Sequence, residues 1–210
     1  MQKIKNIILD YGNVIFMIDF DRVRKAFISL GIKNVDDFFG HRGQDSLFDT
    51  FDKGEISVQQ FRTGIRNKVG KPGLTDQQID DAWNSLLIGV PKGTHEILLA
   101  LRAKYRTFLL SNNNELHYDW CMDHIKTTYG VADNSPFFEK TYYSHLMGKR
   151  KPNPDIFEVV LEENGLIPGE TLFIDDSPQH LETAQVCGLQ TALCTKKESL
   201  AYLIDYHKLL

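Results

Sequence analysis

Three short, almost wholly apolar runs, each closed abruptly by polar residues, constrain this chain more than any other feature: residues 3–10 (KIKNIILD), 107–111 (TFLLS) and 171–176 (TLFIDD). Runs this short that do not alternate with polar residues suit strands buried on both faces of a parallel sheet. Helical patterns lie between and after them, over Thr94–Lys104, Glu115–Tyr129, Pro154–Asn164 and residues 178–187. Strands alternating with helices predict right-handed crossovers, hence an α/β fold with a doubly wound parallel sheet. Residues 191–194 are expected to add a further strand.

Residues 16–90 follow a different grammar. Apolar residues recur at helical spacing at Val23, Phe27 and Leu30, at Phe61, Ile65 and Val69, and at Ile79, Trp83 and Leu86. Ser57 with Gln60, and Thr75 with Gln78, read as capping boxes at two helix starts. The expected organisation is a catalytic core of residues 1–15 and 91–210, interrupted by a small all-helical cap over 16–90. An insertion directly after the first strand places that cap over the strand's C-terminal end. A chain of 210 residues has room for one such core and a small accessory unit.

Composition narrows the partners. A formal charge of -4 and a pI near 6.0 give no attraction to nucleic acid or to an anionic membrane. No apolar run approaches the roughly 20 residues that span a bilayer, and the N-terminal run is too short for a signal peptide. Cys121, Cys187 and Cys194 form no CxxC pair, which reads as reduced thiols packed inside a cytoplasmic protein. The expected partner is a small phosphorylated molecule, and the expected assembly a monomer or homodimer. His41, His95, His117, His124, His145, His180 and His207 show no zinc spacing. Residues 49–57 (DTFDKGEIS) resemble a calcium loop only faintly, because Phe51 and Gln60 fall at its ligand positions, and they read as a cap turn.

Ligands of an open parallel sheet bind at the carboxyl ends of its strands. Asp10, Ser111 and the Asp175–Asp176 pair all stand at such ends. Phosphoryl transfer needs a nucleophile, a divalent cation and donors for the phosphate oxygens. A carboxylate serves as the nucleophile, and Asp10, Asp176 and the nearby Asp175 supply the oxygen donors that Mg²⁺ prefers. Ser111 and Asn112 offer hydrogen bonds to phosphate. Lys149, Arg150 and Lys151 read as a solvated basic run, except that Asn153–Pro154 marks a helix start that fixes Lys151 over the strand ends. Trp83, Trp120, Tyr142 and Tyr143 read as core or cap packing.

These residues carry a resemblance. Asp10 to Ile15 (DYGNVI), Leu110 to Asn112 (LSN), Lys151 in KPNPDIF and Ile174 to Ser177 (IDDS) resemble, in order and spacing, the four motifs of the haloacid dehalogenase superfamily. The resemblance implies a Rossmann-like core with a helical cap, Asp10 as nucleophile, Ser111 and Asn112 on phosphate, and Lys151 stabilising charge. It also implies Mg²⁺ held by Asp10, the Gly12 carbonyl and the pair Asp175 and Asp176, with Asp176 in the catalytic set. DYGNVIFMIDFDRV, KGEIS, LSNNNELH and GKRKP are further similar to a bacterial α-D-glucose-1-phosphate phosphatase subgroup.

The pattern breaks at Gly12, where phosphatases of this superfamily carry a second Asp as general acid and base. Such catalysis contributes about 10² to 10⁴-fold, so the break favours a substrate with a good leaving group, such as a sugar 1-phosphate. Asp19 and His180 are the candidate replacements, each set against ordinary surface or capping duty. Gly12 also leaves open a 2-haloacid dehalogenase, in whose metal-free chemistry the acidic pair has no use, and a non-catalytic phosphometabolite-binding protein.

Overall fold

The computed structural model describes residues 3–32, 46–195 and 199–210; part of the 16–90 insertion and His41 lie outside them. Five parallel strands form the central sheet: β1 (Asn6–Leu9), β4 (Arg106–Ser111), β5 (Lys140–Tyr143), β6 (Thr171–Asp175) and β7 (Gln190–Leu193), in the order β5-β4-β1-β6-β7. The chain builds outward from β1 through β4 to β5, then returns to the other side for β6 and β7. The strand order therefore reverses at β1, the kind of point at which doubly wound sheets bind ligands.

The uniform apolarity of the strands follows from a helix layer on each face. Ile7 and Leu9 point into a cluster with Leu98 and Leu101 of α5 (Thr94–Lys104) and with Cys121 and Ile125 of α6 (Glu115–Tyr129). Ile8, one residue out of phase, joins Phe108 and Phe173 against Phe157 of α8 (Pro154–Asn164) and Leu181 of α9 (Pro178–Val186). The period of two sends alternate residues to opposite layers. Because both layers are apolar, no polar alternation appears.

β5 was not foreseen. KTYY buries only Tyr142 and Tyr143 and lies at the sheet edge, so its sequence lacks the apolar run that marks β4 and β6. The reading of Tyr142 and Tyr143 as packing residues holds.

The inserted region contains α1 (Phe20–Ser29), α2 (Ser46–Asp52), α3 (Val58–Val69) and α4 (Asp76–Asn84). Both capping boxes form, at Ser57 and at Thr75. Phe27, Phe48, Phe51, Phe61 and Trp83 build a core of their own there, with Phe51 and Phe61 stacked at 4.1 Å between centroids. The expectation of an all-helical insertion needs correction, because β2 (Met17–Ile18) and β3 (Leu87–Gly89) pair as an antiparallel ribbon at its base. Its entering and leaving segments run side by side, and strands of two and three residues carry no readable period. Residues 49–57 are a cap turn only in part: 49–52 end α2, 53–56 form the turn, and Ser57 caps α3.

Candidate active site

Strand register brings the polar strand ends together. Leu9 aligns with Leu109 on one side and with Ile174 on the other, so the residues that follow, Asp10 and Asp175, emerge side by side with Ser111 just beyond. The Asp10 N–H donates to the Ile174 carbonyl at 2.9 Å, which fixes where its side chain leaves the sheet. Asp10 is only 7% exposed.

Lys151 arrives from the loop before α8, where Pro154 occupies the first helical turn. Its side chain is fully buried, and Nζ donates to Asp10 Oδ1 at 2.6 Å, Asp175 Oδ2 at 2.7 Å and the Leu110 carbonyl at 2.8 Å. All three ammonium hydrogens are used. Burial opposes the lysine's charge, but Asp10 and Asp175 outweigh it and hold its pKa above the usual lysine value. Burial alone would also raise Asp175, yet the Lys151 charge and the His180 hydrogen bond hold it at about 2. Asp10 behaves differently: burial, reinforced by the Asp175 and Asp176 charges, pushes it up to about 7 against the pull of Lys151.

The remaining expectations divide. Ser111 is buried at the strand end, its hydroxyl only loosely engaged at 3.4 Å from the Asn112 carbonyl. The Asn112 side chain, expected on phosphate, is engaged with the lysine loop through its oxygen and one of its two amide hydrogens. Its Nδ2 donates to the Lys151 carbonyl at 2.8 Å and its Oδ1 accepts from the Lys151 N–H at 2.9 Å, which pins the backbone of the lysine loop. Asp19 caps α1 by accepting from the Asp21 N–H, the ordinary duty. His180 departs from its surface reading, since Nδ1 lies 2.9 Å from Asp175 Oδ1. Arg150 departs from its solvated reading as well, pairing with Asp49 at 2.9 Å. Asn13, which the motifs did not mark, adopts a φ of 53° and donates to Asp176 Oδ2 at 2.9 Å. Asparagine tolerates this left-handed geometry better than most residues.

One ligand atom from each of Asp10, Asp175 and Asp176 falls within 4.8 Å of the others. Asp10 Oδ2 and Asp176 Oδ1 accept no hydrogen bond among the described residues, whereas both oxygens of Asp175 are taken by Lys151, His180 and the Ser177 N–H. The turn after β1 closes through Asn13 N–H to Phe16 and Phe16 N–H to Tyr11, leaving the Gly12 carbonyl out of those bonds. Three carboxylates against one lysine leave net negative charge, and open hard-oxygen donors fit a dication such as Mg²⁺.

A family model described as haloacid dehalogenase-like hydrolase matches residues 4–188. A D-ribitol-5-phosphate phosphatase of Bacteroides thetaiotaomicron is 32% identical over 188 residues, covering 90% of this chain and 90% of that protein. The wild-type HAD family enzyme bt-2542 of the same organism, solved in complex with magnesium and inorganic phosphate, superposes with a TM-score of 0.83 at 38% identity, over 95% of this chain and 98% of that one. A predicted HAD-like family hydrolase from Porphyromonas gingivalis gives a TM-score of 0.88 at 33% identity, over 99% and 98% of the two chains. The strand-end carboxylates, the buried lysine and the family match converge on one statement: this chain belongs to the haloacid dehalogenase-like hydrolases.

Proposed function

We propose that this protein is a Mg²⁺-dependent phosphatase acting on a small phosphorylated sugar or polyol through an aspartyl-phosphate on Asp10. The convergence of Asp10, Lys151, Asp175 and Asp176 at three adjoining strand ends carries the reading. The similar proteins support it, one named as a phosphatase and one solved with magnesium and phosphate.

One carboxylate oxygen of Asp10 attacks phosphorus, with Lys151 held against the carboxylate at Oδ1. The bond from phosphorus to the ester oxygen breaks, and the departing alkoxide takes a proton from solvent water to leave as the alcohol. Water then attacks the aspartyl-phosphate, the bond to Asp10 breaks, and inorganic phosphate leaves. Lys151 neutralises charge at Asp10, while the Ser111 hydroxyl and the Asn112 N–H donate to the transferring oxygens. Asp10, the Gly12 carbonyl and Asp176 would hold Mg²⁺ directly, with Asp175 beside them as the residue that anchors Lys151. When bound, the cation neutralises phosphate charge. Residues 16–90 act as a cap unit that excludes water and selects the leaving group.

Two leaving-group classes are open. Gly12 removes a proton donor, which favours an acidic anomeric alcohol as in glucose 1-phosphate. The similar B. thetaiotaomicron phosphatase is named for a polyol 5-phosphate, a primary alcohol. Phosphate release from glucose 1-phosphate, glucose 6-phosphate and D-ribitol 5-phosphate, with Mg²⁺ or EDTA and with a 2-haloacid control, tests the reading. Metal-dependent release from at least one phosphate is expected. Silence on all of them, or halide release without metal, overturns it, and equal rates on anomeric and primary phosphates remove the leaving-group argument.

A further inference from the structure

The last residue of cap helix α2, Asp52, is polar yet buried, and its carboxylate and backbone carbonyl are met by the core. Asp52 is 8% exposed. Its Oδ1 accepts from Asn114 Nδ2 at 3.1 Å, its Oδ2 lies 3.8 Å from Arg150 Nη2, and its backbone carbonyl is 2.5 Å from the Ser144 hydroxyl. These partners stand on three separate core segments. Asn114 follows Asn112 by two residues and Ser111 by three, Arg150 immediately precedes Lys151, and Ser144 follows β5.

The contacts are specific as well as numerous. Asn114 spends its second amide hydrogen on His117 Nδ1 at 3.2 Å, and its oxygen accepts from Trp83 Nε1 of the cap at 3.2 Å and from the His117 N–H at 3.1 Å. Arg150 adds the 2.9 Å pair with Asp49 on the same cap helix. Beyond Asp52, Gly54 has a φ of 69°, and a Cβ there would come within 2.2 Å of the His145 carbonyl oxygen. The turn therefore rests directly on core backbone.

We propose that Asp52 is a positioning residue that holds the cap turn, residues 53–56, in a fixed register against the segment that follows Ser111 at the end of β4 and the loop that carries Lys151. A cap riding only on its ribbon would leave the distance from this turn to the reacting phosphate undefined. The Asp52 clasp sets that distance through the same backbone segments that present the catalytic groups. Substrates that extend from the phosphate into the cap depend on the register, and substrates too small to reach the cap do not. The catalytic part of this inference rests on the proposed phosphatase activity; the register itself rests on geometry alone.

The test compares the wild-type chain with Asp52→Ala and Asp52→Asn in Mg²⁺, reading kcat and KM for D-ribitol 5-phosphate and acetyl phosphate together with amide hydrogen exchange of residues 53–56. Misplacement by about 1 Å is worth on the order of 100-fold. Asp52→Ala should accordingly lose about 10 to 100-fold in kcat/KM on ribitol phosphate, mainly through KM, and stay within about threefold on acetyl phosphate. Asp52→Asn, which keeps an acceptor for Asn114, should recover much of the loss. Exchange at 53–56 should rise at least tenfold in Asp52→Ala while the central strands keep their protection. Equal losses on both substrates, or unchanged exchange, would overturn the proposal. If the wild type hydrolyses neither phosphate, the phosphatase reading fails and exchange alone decides the register.

Discussion

One buried cation organises the site. Lys151 gives all its hydrogens to Asp10, Asp175 and the Leu110 carbonyl, so its loss strands two buried carboxylates at once. Lys151→Met keeps the bulk and removes the charge; urea unfolding should show a loss of about 3–5 kcal/mol, the usual cost of breaking a buried pair, and no measurable turnover. His180 acts at one remove, through Asp175. His180→Ala should weaken Mg²⁺ binding or activity by about 10 to 100-fold, as losses behind a metal site do, measured by calorimetric Mg²⁺ titration beside turnover. Asp10, Ser111, Asp175 and Asp176 were legible because each ends an apolar run, and Lys151 because a proline-marked helix start fixes it. Arg150 and Asn13 were not legible, since each takes its role from a partner distant in sequence, Asp49 and Asp176; His180 was marked only as a candidate acid or base, and its contact with Asp175 was not readable.

At the scale of elements, the seam between the cap and α6 answers to pH. Burial lowers the His117 pKa to about 4, and its Nε2 lies 3.2 Å from the Trp83 carbonyl, an acceptor that places the proton on that nitrogen. The unfolded chain takes up a proton below its ordinary value of 6.5 and the folded chain does not until about 4. The His117 contribution to stability is therefore complete above pH 6.5 and falls as the pH drops toward 4, by up to about 3 kcal/mol, while Asp10, which takes up its proton first in the folded chain, acts in the opposite sense. Melting curves across that window should show the wild type losing stability relative to His117→Gln as the pH drops; parallel slopes would contradict it. Gly54→Ala, strained by its positive φ and by the His145 carbonyl, should destabilise by more than the roughly 1 kcal/mol that a glycine change costs in open structure, as urea unfolding would show. Three of the cap helices were readable from local chemistry, α1 by its 3.6-residue period and α3 and α4 by period and capping boxes, whereas the seven-residue α2 was not. The β2–β3 ribbon was not, because its pairing joins segments about 70 residues apart that are too short to repeat anything.

Across the whole molecule, two helix layers enclose a sheet whose order places the chemistry at its midline. Ile8, fully buried between β4 and β6, should cost about 2–5 kcal/mol when replaced by Ala, while activity per folded molecule changes little; urea unfolding beside a rate assay checks both. The alternation of strands and helices announced a parallel doubly wound sheet, because crossover geometry leaves few other arrangements. It did not announce β5, whose edge position lets polar residues stand where an inner strand would need apolar ones. Among the described residues no helix is long and apolar enough to cross a membrane, in keeping with the absence of long apolar runs in the sequence. The central claim is that Asp10 attacks phosphorus at a site that needs a cation. Phosphate release by the wild type and by Asp10→Asn, each with Mg²⁺ and with EDTA, tests it most directly. Release should occur only in the wild type with Mg²⁺, with the variant slower by at least about 10⁴-fold, as when other covalent nucleophiles are removed; release that survives either EDTA or the substitution would contradict it.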